Sequence, residues 1–249
     1  MAIRITRPSK RLITTLILLT LCSAIGGCGG PGDRIKEISN KTPQPSPTQG
    51  ERELSGVYTV TGSGPNEADP YNGVLNITPA GDVYALRWQT NRGTRVGTAV
   101  QLGDSAAATY TAIGAGEGCG VVLYRIASDG TLEGRTTIWN VEKYGVEKAI
   151  RKEGRNFPGT YDVTGTASDG KEYTGPLTIT KDGEGYLFEW KIGKPRIGFD
   201  IQKGSYAAVS FGGRQCSFVL YSVMGSSGLD GSTGGQARVT FGSESAKRQ

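Results

Sequence analysis

A chain of 249 residues with 28 lysines and arginines, 23 aspartates and glutamates and no histidine carries a formal charge of +5. The missing histidines exclude Ser-His-Asp and Cys-His catalysis, histidine metal sites and a near-neutral imidazole base, and no cofactor or metal is expected. Arg4, Arg7, Lys10 and Arg11 stand at the very start, so the rest is near neutral, has no concentrated basic block and shows no electrostatic footprint for nucleic acid.

The basic start runs into the apolar stretch Leu12 to Ile25, too short and too early for a membrane span, and residues 1–27 read as a signal peptide. That stretch ends in Ile25-Gly26-Gly27-Cys28, which resembles the lipobox of bacterial lipoproteins. The resemblance implies cleavage before Cys28, acylation of its thiol and lipid attachment to a membrane of the bacterial cell envelope, on its periplasmic or surface face. An ordinary secretory signal followed by a chance cysteine is the other reading. Residues 28–54, with Thr42-Pro43-Gln44-Pro45-Ser46-Pro47, have too few apolar side chains to bury and form a flexible Pro-rich tether. As a coil it spans about 30 Å.

Beyond the tether the chain says the same thing twice. Gly56-Val57-Tyr58-Thr59-Val60-Thr61-Gly62 returns as Gly159-Thr160-Tyr161-Asp162-Val163-Thr164-Gly165, and Tyr71-x-Gly73-x-Leu75-x-Ile77 as Tyr173-x-Gly175-x-Leu177-x-Ile179. Tyr84-x-Leu86-x-Trp88 returns as Tyr186-x-Phe188-x-Trp190, and Cys119-x-x-x-Leu123-Tyr124 as Cys216-x-x-x-Leu220-Tyr221. Residues 55–153 are β repeat 1 and residues 154–242 β repeat 2, followed by a disordered tail, 243–249.

Within each repeat the apolar residues alternate, as half-buried antiparallel strands require. Tyr58 and Val60 share a face, as do Leu75 and Ile77, then Leu86 and Trp88, and the same holds for their counterparts. In the fourth strand Val96 and Val100, matched by Ile197 and Ile201, are expected inside; in the fifth, Ala106, Ala108 and Tyr110 are matched by Ala207, Val209 and Phe211. Glycine-bearing turns such as Ala80-Gly81, Asp129-Gly130 and Asp182-Gly183 reverse the chain between strands. The sixth strand is apolar on both faces, Val122 and Tyr124 against Val121 and Leu123, so both faces are covered. Packing of the two units through this outer face, related by a pseudo-two-fold, accounts for it. Leu132-Glu133-Gly134 matches Leu229-Asp230-Gly231, and Val146 to Ile150 loosely matches Ala237 to Phe241. The fold class is all-β: two tandem antiparallel meanders, each a small, roughly eight-stranded barrel or barrel-like sandwich, with one larger shared barrel as the alternative.

Cys119 and Cys216 hold equivalent positions. A bridge between them and a pair of buried free thiols are both open readings. Tyr84, Trp88, Tyr186 and Trp190 are candidate ligand contacts, with core packing the competing account of in-facing aromatics. Trp139 and Tyr144, in an insertion of the first copy, are candidates for exposed contact. No residue is assigned a catalytic role: Asp162 and Glu189, the carboxylates weighed for glycoside hydrolysis, are replaced by Thr59 and Arg87 in the other copy.

The Gly-x-Tyr-x-Val-x-Gly, Tyr-x-Gly-x-Leu-x-Ile and Tyr-x-x-x-Trp segments, with Asp129-Gly130-x-Leu132-x-Gly134, resemble an all-β repeat of uncharacterised bacterial secreted proteins and lipoproteins, some labelled fibronectin-binding. The Gly-x-Tyr first strand is also similar to that of calycins, the small barrels that include lipocalins and avidin. The expected function is a membrane-anchored, non-enzymatic binding or envelope-structural module for an unidentified protein or glycan. A small-ligand-binding or inhibitor barrel of calycin type is the alternative, and interior volume around Trp88 or Trp190 discriminates between them.

Overall fold

The computed structural model describes residues 51–64, 70–235 and 241–249; the expected signal peptide, Cys28 and most of the expected tether lie outside the described residues. The first repeat folds into β1 (Gly56–Ser63), β2 (Tyr71–Ala80), β3 (Val83–Thr90), β4 (Gly93–Leu102), β5 (Ser105–Ala112), β6 (Gly120–Ile126), β7 (Leu132–Ile138) and β8 (Gly145–Glu153). The second folds into β9 (Gly159–Thr166), β10 (Glu172–Asp182), β11 (Gly185–Trp190), β12 (Arg196–Lys203), β13 (Tyr206–Phe211), β14 (Ser217–Val223), β15 (Gly228–Gly235) and β16 (Gly242–Arg248). All pairings are antiparallel, and the strands close into two eight-stranded barrels.

The allotment of strands differs from one barrel per repeat. Barrel A joins β1–β5 to β14–β16, and barrel B joins β6–β8 to β9–β13. Each barrel therefore takes five strands from one repeat and three from the other. The boundary expected between residues 153 and 154 falls inside barrel B, in the hairpin from β8 to β9. Exchange is permitted because β14 is the repeat of β6, so the partner that β5 seeks exists twice. The register of β5 on β14, Ser105 opposite Ser222 to Tyr110 opposite Ser217, is mirrored by β13 on β6, Tyr206 opposite Arg125 to Phe211 opposite Gly120.

The expected disordered tail is strand. Residues 243–248 belong to β16, which closes barrel A by pairing with β1, Tyr58 opposite Arg248. The strand equivalent to β8 is β16; of the expected match, Ala237 to Phe241, residues 237–240 lie outside the described residues. Only Glu244 and Ala246 are buried, between solvent-facing serines and a lysine, so the segment reads as polar until β1 pairs with it.

The fourth strand also departs from expectation. Gly97 and Ala99, and likewise Gly198 and Asp200, line the interiors, because the large rings of Trp88 and Trp190 occupy the space beside the glycines. A Cβ on Gly97 would lie 3.1 Å from the Trp88 ring, and one on Gly198 2.9 Å from that of Trp190. Val100 and Ile201 point outward instead, into a seam between the barrels. There they pack with Ala107, Ala208, Val121, Phe218, Leu123 and Leu220, four equivalent pairs whose burial explains the two-faced sixth strand.

The chain crosses from barrel to barrel twice, between β5 and β6 and between β13 and β14. The crossings touch at Gly212, where an added Cβ would meet Gly118 O at 2.7 Å and Cys216 Sγ at 2.8 Å. Cys119 and Cys216 are joined there in a disulfide, with Cα atoms 5.5 Å apart. Arg135 of β7 reinforces the seam: it donates to the carbonyl of Gln101 in β4 at 2.6 Å and to Glu51, before β1, at 2.8 Å. The first-copy insertion has a structural task. Glu142 O accepts the backbone N–H of Asp82 in barrel A at 2.7 Å, Trp139 packs against Gly116, and Tyr144 lies under the Arg135 guanidinium at the edge of the seam.

Candidate functional site

Each barrel has a plugged end. Leu54, before β1, and Phe157, before β9, are buried there. Tyr58 donates to Leu54 O at 2.8 Å and Tyr161 to Phe157 O at 2.6 Å. The last strand of each repeat lays an arginine over that tyrosine, Arg248 over Tyr58 at 5.0 Å and Arg151 over Tyr161 at 5.6 Å.

Halfway up each barrel a buried glutamate gathers the repeat's aromatic polar tips. In barrel B, Glu147 of β8 accepts hydrogen bonds from the Tyr124 hydroxyl, from Tyr173 at 2.8 Å and from Trp190 Nε1 at 3.1 Å. In barrel A, Glu244 of β16 accepts from the Tyr221 hydroxyl, from Tyr71 at 2.5 Å and from Trp88 Nε1 at 3.1 Å. Trp88 is 4% exposed and Trp190 5%, so the two indoles have equivalent surroundings. Burial raises the Glu244 carboxyl above its ordinary range, against the lowering effect of the Tyr221, Tyr71 and Trp88 donors. Tyr124 and Tyr221 are raised well above theirs, first by burial and then by the carboxylate each one faces.

These glutamates were not among the expected site residues, although their signal lies in the sequence. The 97-residue separation of Cys119 and Cys216, carried onward, lays Gly145-x-Glu147-x-Ala149-x-Arg151 on Gly242-x-Glu244-x-Ala246-x-Arg248. Matching the eighth strand to Ala237–Phe241 hides that repeat.

Below Glu147 barrel B is solid with rings: Tyr124 stacks on Phe188 at 6.0 Å, and Phe157 meets Tyr186 edge-on at 4.9 Å. Above it the barrel is open. A cavity of about 570 Å³ has Glu147, Tyr173 and Trp190 at its base, Val122, Thr136, Ile138, Ile192 and Phe211 on its walls, and Asp169, Lys171, Glu172, Lys194 and Arg196 around its rim. Of the expected contact residues, Trp190 borders this cavity and Trp88 holds the equivalent place in barrel A. Tyr186 packs at the plugged end under Lys181. Tyr84 packs on the core of barrel A, where burial, then Glu53 and Glu51, push its hydroxyl up to about 12.

The rim charges are unevenly committed. Asp169 accepts both the backbone N–H and the ammonium of Lys171, at 3.1 and 2.7 Å, which holds its carboxyl low. Arg196 opens β12 opposite Trp190 and lies 4.4 Å over the Phe211 ring. Burial and Glu147 raise the Tyr173 hydroxyl, and the Arg196 charge opposes them.

At the plugged end Asp200 is 2% exposed. Its Oδ1 accepts the backbone N–H of Tyr186 at 2.5 Å, and its Oδ2 has no partner among the described residues. Among the described residues no group of three or more His, Cys, Asp or Glu side chains is arranged to hold a metal ion. No protein family, curated protein or solved structure matches the chain.

Proposed function

We propose that this protein is a non-enzymatic binding module, tethered to a bacterial membrane through acylated Cys28, and that its ligand seat is the open mouth of barrel B. The cavity around Trp190 carries the reading. About 570 Å³ of space lies within the 300–1,000 Å³ range of small-molecule sites, and apolar walls with a few fixed polar groups are the usual lining. This favours the small-ligand alternative over recognition by an outer surface. Glu147 supports binding over catalysis, because three donors already engage its carboxylate. The tether rests on the lipobox resemblance of Ile25-Gly26-Gly27-Cys28; two acyl chains make such attachment durable.

Both barrels, the seam and the bridge are built from residues 51–249, so that segment is the unit to test. The neutral fluorophore N-phenyl-1-naphthylamine is expected to bind it saturably. Thr136→Trp, placed on the cavity wall, is expected to abolish that binding while the melting temperature stays within a few degrees. Binding to Thr136→Trp equally well, or no binding of either this fluorophore or its sulfonate, rules the mouth out as the seat.

A further inference from the structure

We infer that the ligand of the barrel B mouth is a small amphipathic organic anion, its carboxylate, sulfonate or phosphate held at the rim by Arg196 and Lys194 and its apolar body lowered toward Trp190. This inference rests on the mouth being a binding seat and adds the ligand's chemical class and orientation.

Among the three cations of the rim, Lys171 is neutralised by Asp169 within its own turn. Among the described residues Arg196 and Lys194 have no ion pair. Arg196 lies directly across from Trp190 in the β11–β12 register, and side chains of directly opposed residues stand on the same face. Its guanidinium therefore overhangs the cavity. The guanidinium sits 4.4 Å over the Phe211 ring, a contact that uses none of its N–H groups, and arginine N–H groups take carboxylates and phosphates in paired hydrogen bonds.

The base sets the orientation. Glu147 lies under an apolar funnel, its oxygens already accepting from two tyrosines and a tryptophan. An anionic head lowered onto it finds those donors already taken and gives up its water without replacement. The same head at the rim meets Arg196 and Lys194 in partial solvent. Charge out and body in is the arrangement that satisfies both ends. The cavity volume suits a body of drug-like size. Arg95-Val96-Gly97 repeats Arg196-Ile197-Gly198, and Arg95 faces Trp88 in the same register, so the pairing of arginine with indole was written into both copies.

The test compares two fluorophores of one skeleton on residues 51–249 at low salt: neutral N-phenyl-1-naphthylamine and its sulfonate, 1-anilinonaphthalene-8-sulfonate. Binding at the barrel B mouth is taken as the part lost in Thr136→Trp. The sulfonate is expected to bind there at least tenfold more tightly than the neutral compound. Arg196→Gln is expected to bring the two within twofold of each other without weakening the neutral one, which also shows that the variant is folded. Equal affinities in the wild type, or a sulfonate preference that survives Arg196→Gln, overturn the anion assignment and leave the binding seat standing. If neither compound binds, the seat itself falls and the assignment falls with it.

Discussion

Glu147 and Glu244 are the residues on which each interior is ordered, since each joins three side chains drawn from both repeats. Removing one acceptor takes from two hydroxyls and an indole N–H the carboxylate they share, and the Tyr221 hydroxyl and Trp88 N–H are buried. An orphaned buried donor costs about 1–3 kcal/mol, so Glu244→Ala is expected to lower stability by about 3 kcal/mol or more in urea unfolding, and Glu244→Gln, which keeps one acceptor, by clearly less. Equal stability of Glu244→Ala and wild type would mean that the cluster is incidental to the fold. Asp200 makes the opposite case. Burial raises its carboxyl to about 7, against the smaller pull of the Tyr186 N–H and Lys181, and the equivalent position in barrel A is Ala99. Below about pH 4 the group is protonated in folded and unfolded chains alike, and nothing is lost. Between about pH 4 and 7 the unfolded chain releases the proton while the folded one keeps it, so stability falls as pH rises, by up to about 4 kcal/mol, and the loss is complete above the folded value. Asp200→Asn is therefore expected to match wild type near pH 4 and to exceed it by about 3 kcal/mol at pH 8, measured as paired denaturation midpoints. Repetition in the sequence marks Glu147 but not its burial, and Asp200 lies in β12, whose inner face alternation misread; what protects each comes from neighbouring strands.

At the scale of the strand, alternation was readable wherever the inner face carried the larger side chains. Tyr58 and Val60, Leu75 and Ile77, Leu86 and Trp88 all point inward as their spacing indicates. It misled in β4 and β12, where the outer face is the bulkier one. A tryptophan from the neighbouring strand had claimed the interior, and a second apolar surface, the seam, had recruited Val100 and Ile201. Alternation specifies that two faces differ, but it does not specify which is inside when both are covered. The last strand was hidden for the converse reason, its inner face reduced to Glu244 and Ala246. β16 nevertheless pairs with β1 and β15, supplies the acceptor for Tyr221, Tyr71 and Trp88, and places Arg248 on Tyr58 with a hydrogen bond of 2.7 Å. A chain ending at Phe241 leaves two unpaired strand edges and removes the acceptor of the buried Tyr221 hydroxyl and Trp88 indole N–H. It is expected to lose the cooperative thermal transition of barrel A, followed by circular dichroism, whereas a chain ending at Arg248 is expected to melt with the full-length protein. Unchanged melting of the shorter chain would show β16 to be dispensable.

For the whole molecule the consequence of strand exchange is that neither repeat can complete either of these barrels alone. Local signals are blind to this, because pairing β5 with β6 and pairing β5 with β14 satisfy the same alternation and nearly the same register. The observed choice brings the two crossings together, buries four equivalent apolar pairs in the seam and sets Cys119 beside Cys216. It also makes the topology strongly non-local, since β1 closes on β16 from the far end of the chain, and loop closure of that kind slows folding. Cutting the exposed β8–β9 loop separates this arrangement from simple tandem barrels. Halves comprising residues 51–155 and 156–249 divide every strand between the repeats while breaking no strand. If exchange is intrinsic to the sequence, the halves produced together under oxidising conditions assemble one to one, linked through Cys119 and Cys216, and the complex melts as a single species well above either half alone. A half produced alone has as its best substitute partner a second copy of itself, giving a self-dimer whose stability depends on concentration. Two halves that elute as independent monomers, each with its own transition and no bridge between them, would show that each repeat prefers to close on itself. The seam would then be a contact between finished barrels and not the place where they are made.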